Sequence, residues 1–301
     1  MLFKKNTYTY KKINNCEIQA DVFIPKNSAN GKAILWLHPG GLIFGSREML
    51  LKEQLELYIK CGFTVISLDY RLAPETKLID IIQDVQDGYN WILEQGPKLF
   101  NIDPKQISII GHSAGGYLAL NIGCFSNPKP LSIVTFYGYG DITGDWYSKP
   151  DPNYLKEPIV TKELAFRGVN NEIVSCSNFT GFNDPRWLFY LYLRQQGLWL
   201  NEVTGFNISK EPEKFNKYCP AFNVTPEFPP TMLIHGNQDT DVPFTLSEQM
   251  ARVLENKKVP NKLIILDRLG HMFDRGPDTS IKGSKEIKQV FDSVINFLNE
   301  I

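Results

Sequence analysis

The chain alternates short apolar runs with longer segments of helical period. Runs rich in β-branched residues predict strands at 18–24, 32–38, 63–69, 107–110, 132–137, 231–235 and 262–266. Several, such as Ile34-Leu35-Trp36-Leu37 and Met232-Leu233-Ile234, are apolar almost throughout, as central parallel strands covered on both faces are. Helical spacing predicts helices over 48–60, 78–94, 114–125 and 246–256. Near the C-terminus Ile287, Val290, Phe291, Val294, Ile295 and Leu298 make one apolar stripe, with Ser284 placed as its N-cap. Strand–helix alternation of this kind predicts an α/β fold with a doubly wound, mostly parallel sheet. Ligands of such sheets bind at the carboxyl ends of the strands.

Residues 138–230 break the rhythm. They show no strand period, carry many prolines, and contain a helical block at 184–196 that is apolar nearly all round. Three of the five tryptophans, Trp146, Trp187 and Trp199, fall here. An insertion this long between two strands predicts a cap over the sheet's edge rather than a linker. The expected organisation is one domain over 1–301 with an inserted cap at 138–230.

Composition narrows the function without naming it. With 301 residues, 43% hydrophobic and 22% charged, the chain is long enough to bury a sizeable core. Lysine and arginine (32) nearly balance aspartate and glutamate (33), a net charge of −1. This excludes a broadly basic nucleic-acid or anionic-membrane binder and offers no excess charge to steer an ionic substrate. Cys16, Cys61, Cys124, Cys176 and Cys219 are odd in number and lack CxxC spacing, which argues against a disulfide framework or zinc site. The N-terminal segment lacks the apolar core of a signal peptide, and no apolar run reaches bilayer length. The expectation is a cytoplasmic protein in which the Asn-x-Ser/Thr triplets at Asn178, Asn207 and Asn223 are chance. The apolar insertion leaves room for a homodimer interface.

Gly111-His112-Ser113-Ala114-Gly115 fits G-x-S-x-G, between a predicted strand and a predicted helix, the context of a nucleophile elbow. His38-Pro39-Gly40-Gly41 ends another strand at the same sheet edge. There the N–H groups of Gly40 and Gly41, with that of Ala114, are placed to receive an oxyanion. A serine nucleophile needs a base, and four histidines are available. His38 belongs to the glycine loop, His112 adjoins the serine on a turn that points neighbours apart, and His235 is placed to brace the turn after its strand. His271 remains, in a loop after the strand at 262–266. For the carboxylate partner, Asp239 is the first choice and Asp241 the rival.

In these motifs, together with Asp69-Tyr70-Arg71-Leu72-Ala73-Pro74-Glu75, Gly116 and Gly270-His271, the chain resembles the α/β-hydrolase family, and more narrowly its hormone-sensitive-lipase-like esterase branch. The resemblance spans about residues 18–300. It implies an eight-stranded hydrolase sheet, a Ser-His-Asp triad, serine-ester chemistry and no cofactor or metal. Two departures stand out. Pro39 replaces the first glycine of the branch's His-Gly-Gly-Gly, although the donors come from the positions of Gly40 and Gly41. Only about 17 residues precede the first predicted strand, so the insertion rather than the N-terminus supplies most of the lid. Asp69–Glu75 reads as structural, with Arg71 tying loops together, and Asp84 and Asp87 as solvated or helix-supporting.

The expected activity is hydrolysis of small to medium, uncharged carboxylic esters, rising with pH as His271 loses its proton. The same machinery would serve an amidase, formamidase or lactonase, and a non-catalytic small-molecule binder of this fold is the alternative of another class.

Overall fold

A computed structural model describes every residue except Met1, Ser28, Phe182 and Pro277. Eight strands form one sheet: β1 (Phe3–Ile13), β2 (Cys16–Pro25), β3 (Ala33–Leu37), β4 (Thr64–Leu68), β5 (Ile107–His112), β6 (Ser132–Phe136), β7 (Thr231–Gly236) and β8 (Asn261–Leu266). Their order is β1-β2-β4-β3-β5-β6-β7-β8. β2 runs antiparallel to β1 and β4, and the remaining neighbours are parallel.

Helices α1 (Lys52–Lys60), α2 (Leu78–Phe100) and α3 (Ala114–Phe125) precede β6. Between β6 and β7 lie the short α4 (Asp145–Ser148), α5 (Lys162–Ala165), α6 (Pro185–Gln196), α7 (Trp199–Thr204) and α8 (Pro220–Asn223). Helices α9 (Thr245–Asn256) and α10 (Lys285–Glu300) flank β8.

Every residue of β3 is buried, and its period-two alternation feeds two separate cores. Ile34 and Trp36 pack with Leu55 and Tyr58 of α1 and Phe291 of α10. Leu35 and Leu37 face Ile81 and Val85 of α2 and Leu118 of α3. Each such side chain contributes about 1.5–3 kcal/mol by leaving water, so the central strands form a rigid floor beneath their own carboxyl ends. In α10 the apolar stripe is buried as its spacing requires, and Ser284 Oγ accepts the Ile287 N–H at 3.3 Å.

The molecule departs from the sequence reading at its edges. β1 occupies the stretch before the first predicted strand, pairing with β2 from Phe3↔Pro25 to Ile13↔Cys16. Its lysines, threonines and tyrosines satisfy an edge strand without any continuous apolar face. Helix α2 runs past Glu94 and through Pro97, since the buried Phe100 and Ile102 anchor its last turn and Asn101 closes it in the left-handed region. Residues 47–49 form a separate short turn, and α1 starts only at Lys52.

Asp84 is a correction. It is fully buried rather than solvated, accepting Arg71 Nε at 2.6 Å and Nη2 at 2.8 Å, with Lys11 Nζ at 2.7 Å. A buried carboxylate persists only with such partners, and this one joins β1, α2 and the Arg71 loop.

Candidate active site

The turn between β5 and α3 places Ser113 at φ 53° and ψ −118°, a conformation that non-glycine residues rarely adopt. Its N–H donates to Phe136 O at 2.9 Å, which fixes the turn to β6. The close approach depends on Gly115, where a Cβ would lie 2.2 Å from Leu37 O. Ser113 thus stands at the N-terminus of α3, 5% exposed.

The loop after β8 brings His271 to it. His271 Nε2 lies 3.1 Å from Ser113 Oγ, and Nδ1 lies 2.7 Å from Asp239 Oδ2. Asp239 sits in the turn after β7, and its other oxygen accepts the N–H groups of Asp241 (2.8 Å) and Val242 (2.9 Å). Burial opposes the charge on Asp239. The facing His271 and the hydrogen bonds from His235 and His271 outweigh it and hold the carboxyl well below the usual carboxylate range. For His271, burial favours the neutral ring, but Asp239 and Asp241 prevail and raise its pKa above the ordinary value of 6.5.

His235 does more than brace its turn. Nε2 meets Asp239 Oδ2 at 3.0 Å and Nδ1 meets Ser247 Oγ at 2.8 Å, so a histidine of β7, itself held by α9, contacts the carboxylate. Asp241 is brought to the opposite nitrogen from Asp239. Its Oδ2 lies 3.4 Å from His271 Nε2. Its Oδ1 accepts the Tyr190 hydroxyl at 2.7 Å and Nη1 of Arg194, both from α6. Arg194 is 1% exposed and reaches Asp151 Oδ2 at 2.6 Å with its other nitrogen. The α6 contribution was not singled out from the sequence, although an arginine within so apolar a helix is its visible sign.

Gly40 and Gly41 end β3 beside the serine, Gly41 at φ +58° with Tyr190 packed where a side chain would stand. Gly41 O accepts the Trp199 indole N–H at 3.0 Å. Among the described residues, the N–H groups of Gly40, Gly41 and Ala114 have no protein acceptor. His38 is sealed behind this loop, stacked on Tyr70 at 4.0 Å, and burial pushes its pKa down to about 3.

Behind the elbow lies a second histidine–carboxylate pair. His112 Nε2 is 3.3 Å from Asp274 Oδ2, and Asp274 accepts Tyr137 OH at 2.7 Å and Gln54 Nε2 at 2.5 Å. The two groups face each other without hydrogen-bond geometry. Neither residue was placed in the site from the sequence; a charged side chain three positions after His271 was the available signal.

A cavity of about 240 Å³ opens at Ser113 and His271, walled by Phe44, Tyr154, Trp187 and Tyr190. A larger, mostly apolar one of about 690 Å³ shares Tyr154, Trp187 and Thr240 with it. Among the described residues no three histidine, cysteine or acidic side chains converge as metal ligands, and no helix is long and apolar enough to cross a membrane.

The sheet order, the elbow turn and the histidine loop define the α/β-hydrolase fold. Comparison with known proteins sharpens this: the BD-FAE family model matches residues 20–254, and the chain belongs to that family. A Staphylococcus aureus protein of unknown function is similar in structure, with TM-score 0.80, 25% identity and coverage of 98% of this chain and 99% of that one. An α/β hydrolase superfamily protein from Enterococcus faecalis gives 0.75 at 24% identity, covering 99% of each chain. The propionate-bound esterase Est2 of Thermogutta terrifontis gives 0.67 at 18%, covering 97% of this chain and 94% of that one. In sequence, the chain is similar to part of the non-reducing polyketide synthase Preu6 of Preussia isomera, 26% identical over 323 residues. That match takes in 97% of this chain but only 15% of the synthase, so the chain spans a small fraction of such relatives.

Proposed function

We propose that the protein is a serine hydrolase of small to medium carboxylic esters. The observation carrying this reading is the unbroken contact from Ser113 Oγ through His271 to Asp239, at 3.1 Å and 2.7 Å. In the proposed reaction Ser113 Oγ attacks the ester carbonyl while His271 Nε2 takes its proton. The C–O bond to the alcohol then breaks, and His271 returns that proton to the departing oxygen. Asp239 keeps the imidazole in the tautomer that accepts at Nε2 and stabilises the imidazolium between the two steps. Water repeats the cycle on the acyl-enzyme, releasing the acid.

Gly40, Gly41 and Ala114 supply the oxyanion donors in this reading, each worth roughly 2.7–4 kcal/mol in the transition state. The segment between β6 and β7 acts as a cap, since Tyr154, Trp187 and Tyr190 wall the cavity at the serine. At about 240 Å³ that cavity holds the volume of about eight waters, which suits a short acyl group.

The test is a nitrophenyl-ester series of increasing acyl length, with a fluorophosphonate probe alongside. Hydrolysis and labelling are both expected, and both are expected to vanish in Ser113→Ala. Labelling without ester turnover would move the assignment to an amidase or lactonase. Neither labelling nor turnover would leave a binding protein.

A further inference from the structure

The near-neutral charge of the whole chain does not describe the surroundings of its base. Asp239 and Asp241 flank His271, and the single guanidinium beside them, Arg194, pairs with Asp241 and with a third carboxylate, Asp151. Two negative charges are left uncompensated there when the imidazole is neutral. Arg194 cannot serve a substrate. It is 1% exposed, its terminal nitrogens are taken by Asp151, Asp241 and Tyr190, and aromatic rings surround it, Tyr154 at 4.6 Å and Tyr147 at 5.0 Å.

The walls continue this bias. Among the described residues neither cavity is lined by a lysine or arginine, whereas Asp241 lines the inner one and Glu157 the outer. Nearby Lys149 and Lys156 are engaged by Asp145 and Asn153. Rings of Phe44, Tyr154, Trp187 and Tyr190 face the inner space. Aromatic faces beside Asp241, whose one cationic partner Arg194 is shared with Asp151, form a site for an alkylammonium group.

The position of Asp241 says which part of an ester carries that group. In the proposed reaction the departing oxygen takes its proton from His271 Nε2, and Asp241 Oδ2 lies 3.4 Å from that nitrogen. The leaving alcohol therefore passes beside Asp241, while the acyl group stays with Ser113. Resting on the ester-hydrolase reading above, we propose that Asp241 is a specificity-determining residue selecting esters whose alcohol carries a positive charge, such as amino-alcohol esters, and disfavouring those whose alcohol is anionic.

Three acetyl thioesters of matched size test this: those of thiocholine, of its uncharged 3,3-dimethylbutyl isostere, and of 3-mercaptopropionate. Wild type is expected to favour the cationic thioester over its neutral isostere about tenfold in kcat/KM, and the anionic one is expected to be poorest. The preference should shrink as salt is raised. In Asp241→Asn the cationic-to-neutral ratio is expected to fall towards one. Because Asp241 also holds Arg194, Glu157→Gln provides a second, exposed variant, expected to lower the ratio by less.

A wild-type ratio near one, or an undiminished ratio in a folded Asp241→Asn protein, overturns the inference. If the neutral thioester is still cleaved, and Ser113→Ala abolishes that cleavage, the hydrolase reading stands while the inference falls. If no thioester and no nitrophenyl ester is cleaved, both fall.

Discussion

Two histidine–carboxylate pairs lie on either side of the nucleophile turn, and their surroundings give them opposite characters. His271 and Asp239 meet at 2.7 Å, with the imidazole side chain 14% exposed and its second nitrogen directed at Ser113. His112 and Asp274 meet at 3.3 Å, both fully buried. Burial dominates at His112 and lowers its pKa despite the facing carboxylate, whereas at His271 two carboxylates overcome burial and raise it. A carboxylate beside a histidine is therefore not enough to make a base. The ring also needs an open edge towards a nucleophile and enough compensating charge to accept a proton there.

The comparison breaks most sharply at the acids. Asp239→Asn preserves shape but removes the charge that fixes the imidazole tautomer, so kcat is expected to fall on the order of 10⁴-fold. Asp274→Asn is expected to act on stability instead, by about 3 kcal/mol in denaturant unfolding, with kcat held within about tenfold. Asp274 receives hydrogen bonds from Tyr137 and Gln54, and the asparagine's NH2 would face one donor with another. Steady-state kinetics and unfolding curves on the two variants check this. Equal losses of kcat would mean that the rear pair belongs to the catalytic machinery. A larger kcat loss in Asp241→Asn than in Asp239→Asn would make Asp241 the partner acid.

The same contrast explains how far the sequence could be read. That Ser113, Asp239 and His271 lie together was legible because each follows a strand whose apolar run is plain, and the sheet brings those strand ends together. The seven strands other than β1 were visible for the same reason. β1 was not, because the face it packs on α2 is made by Tyr8 and Tyr10 rather than by an aliphatic run. Asp84 was misjudged because burial of a charge depends on Arg71 and Lys11, which are 13 and 73 positions away. Arg194 and Asp274 were missed likewise: the charged partners of Arg194, Asp151 and Asp241, and the Tyr137 and Gln54 that donate to Asp274 all come from other elements.

The smallest effect expected is a displacement of the pH profile, and it separates the charges around the base. In the proposed mechanism His271 must be neutral to take the serine proton, so kcat/KM is expected to rise with pH as the imidazolium deprotonates. Since Asp239 and Asp241 raise the folded pKa, the midpoint of that rise is expected above the ordinary 6.5. Asp241→Asn removes a charge that favours the imidazolium, and the midpoint should move down. Asp274→Asn, whose carboxylate faces His112 on the sealed side, should leave it in place. Profiles of kcat/KM for one neutral ester in the three proteins give the measurement. A midpoint that follows Asp274 rather than Asp241 would show that charge reaches His271 from behind the elbow, and a wild-type midpoint at or below 6.5 would show burial prevailing over Asp239 and Asp241; on either result the division between an open and a sealed pair would fail.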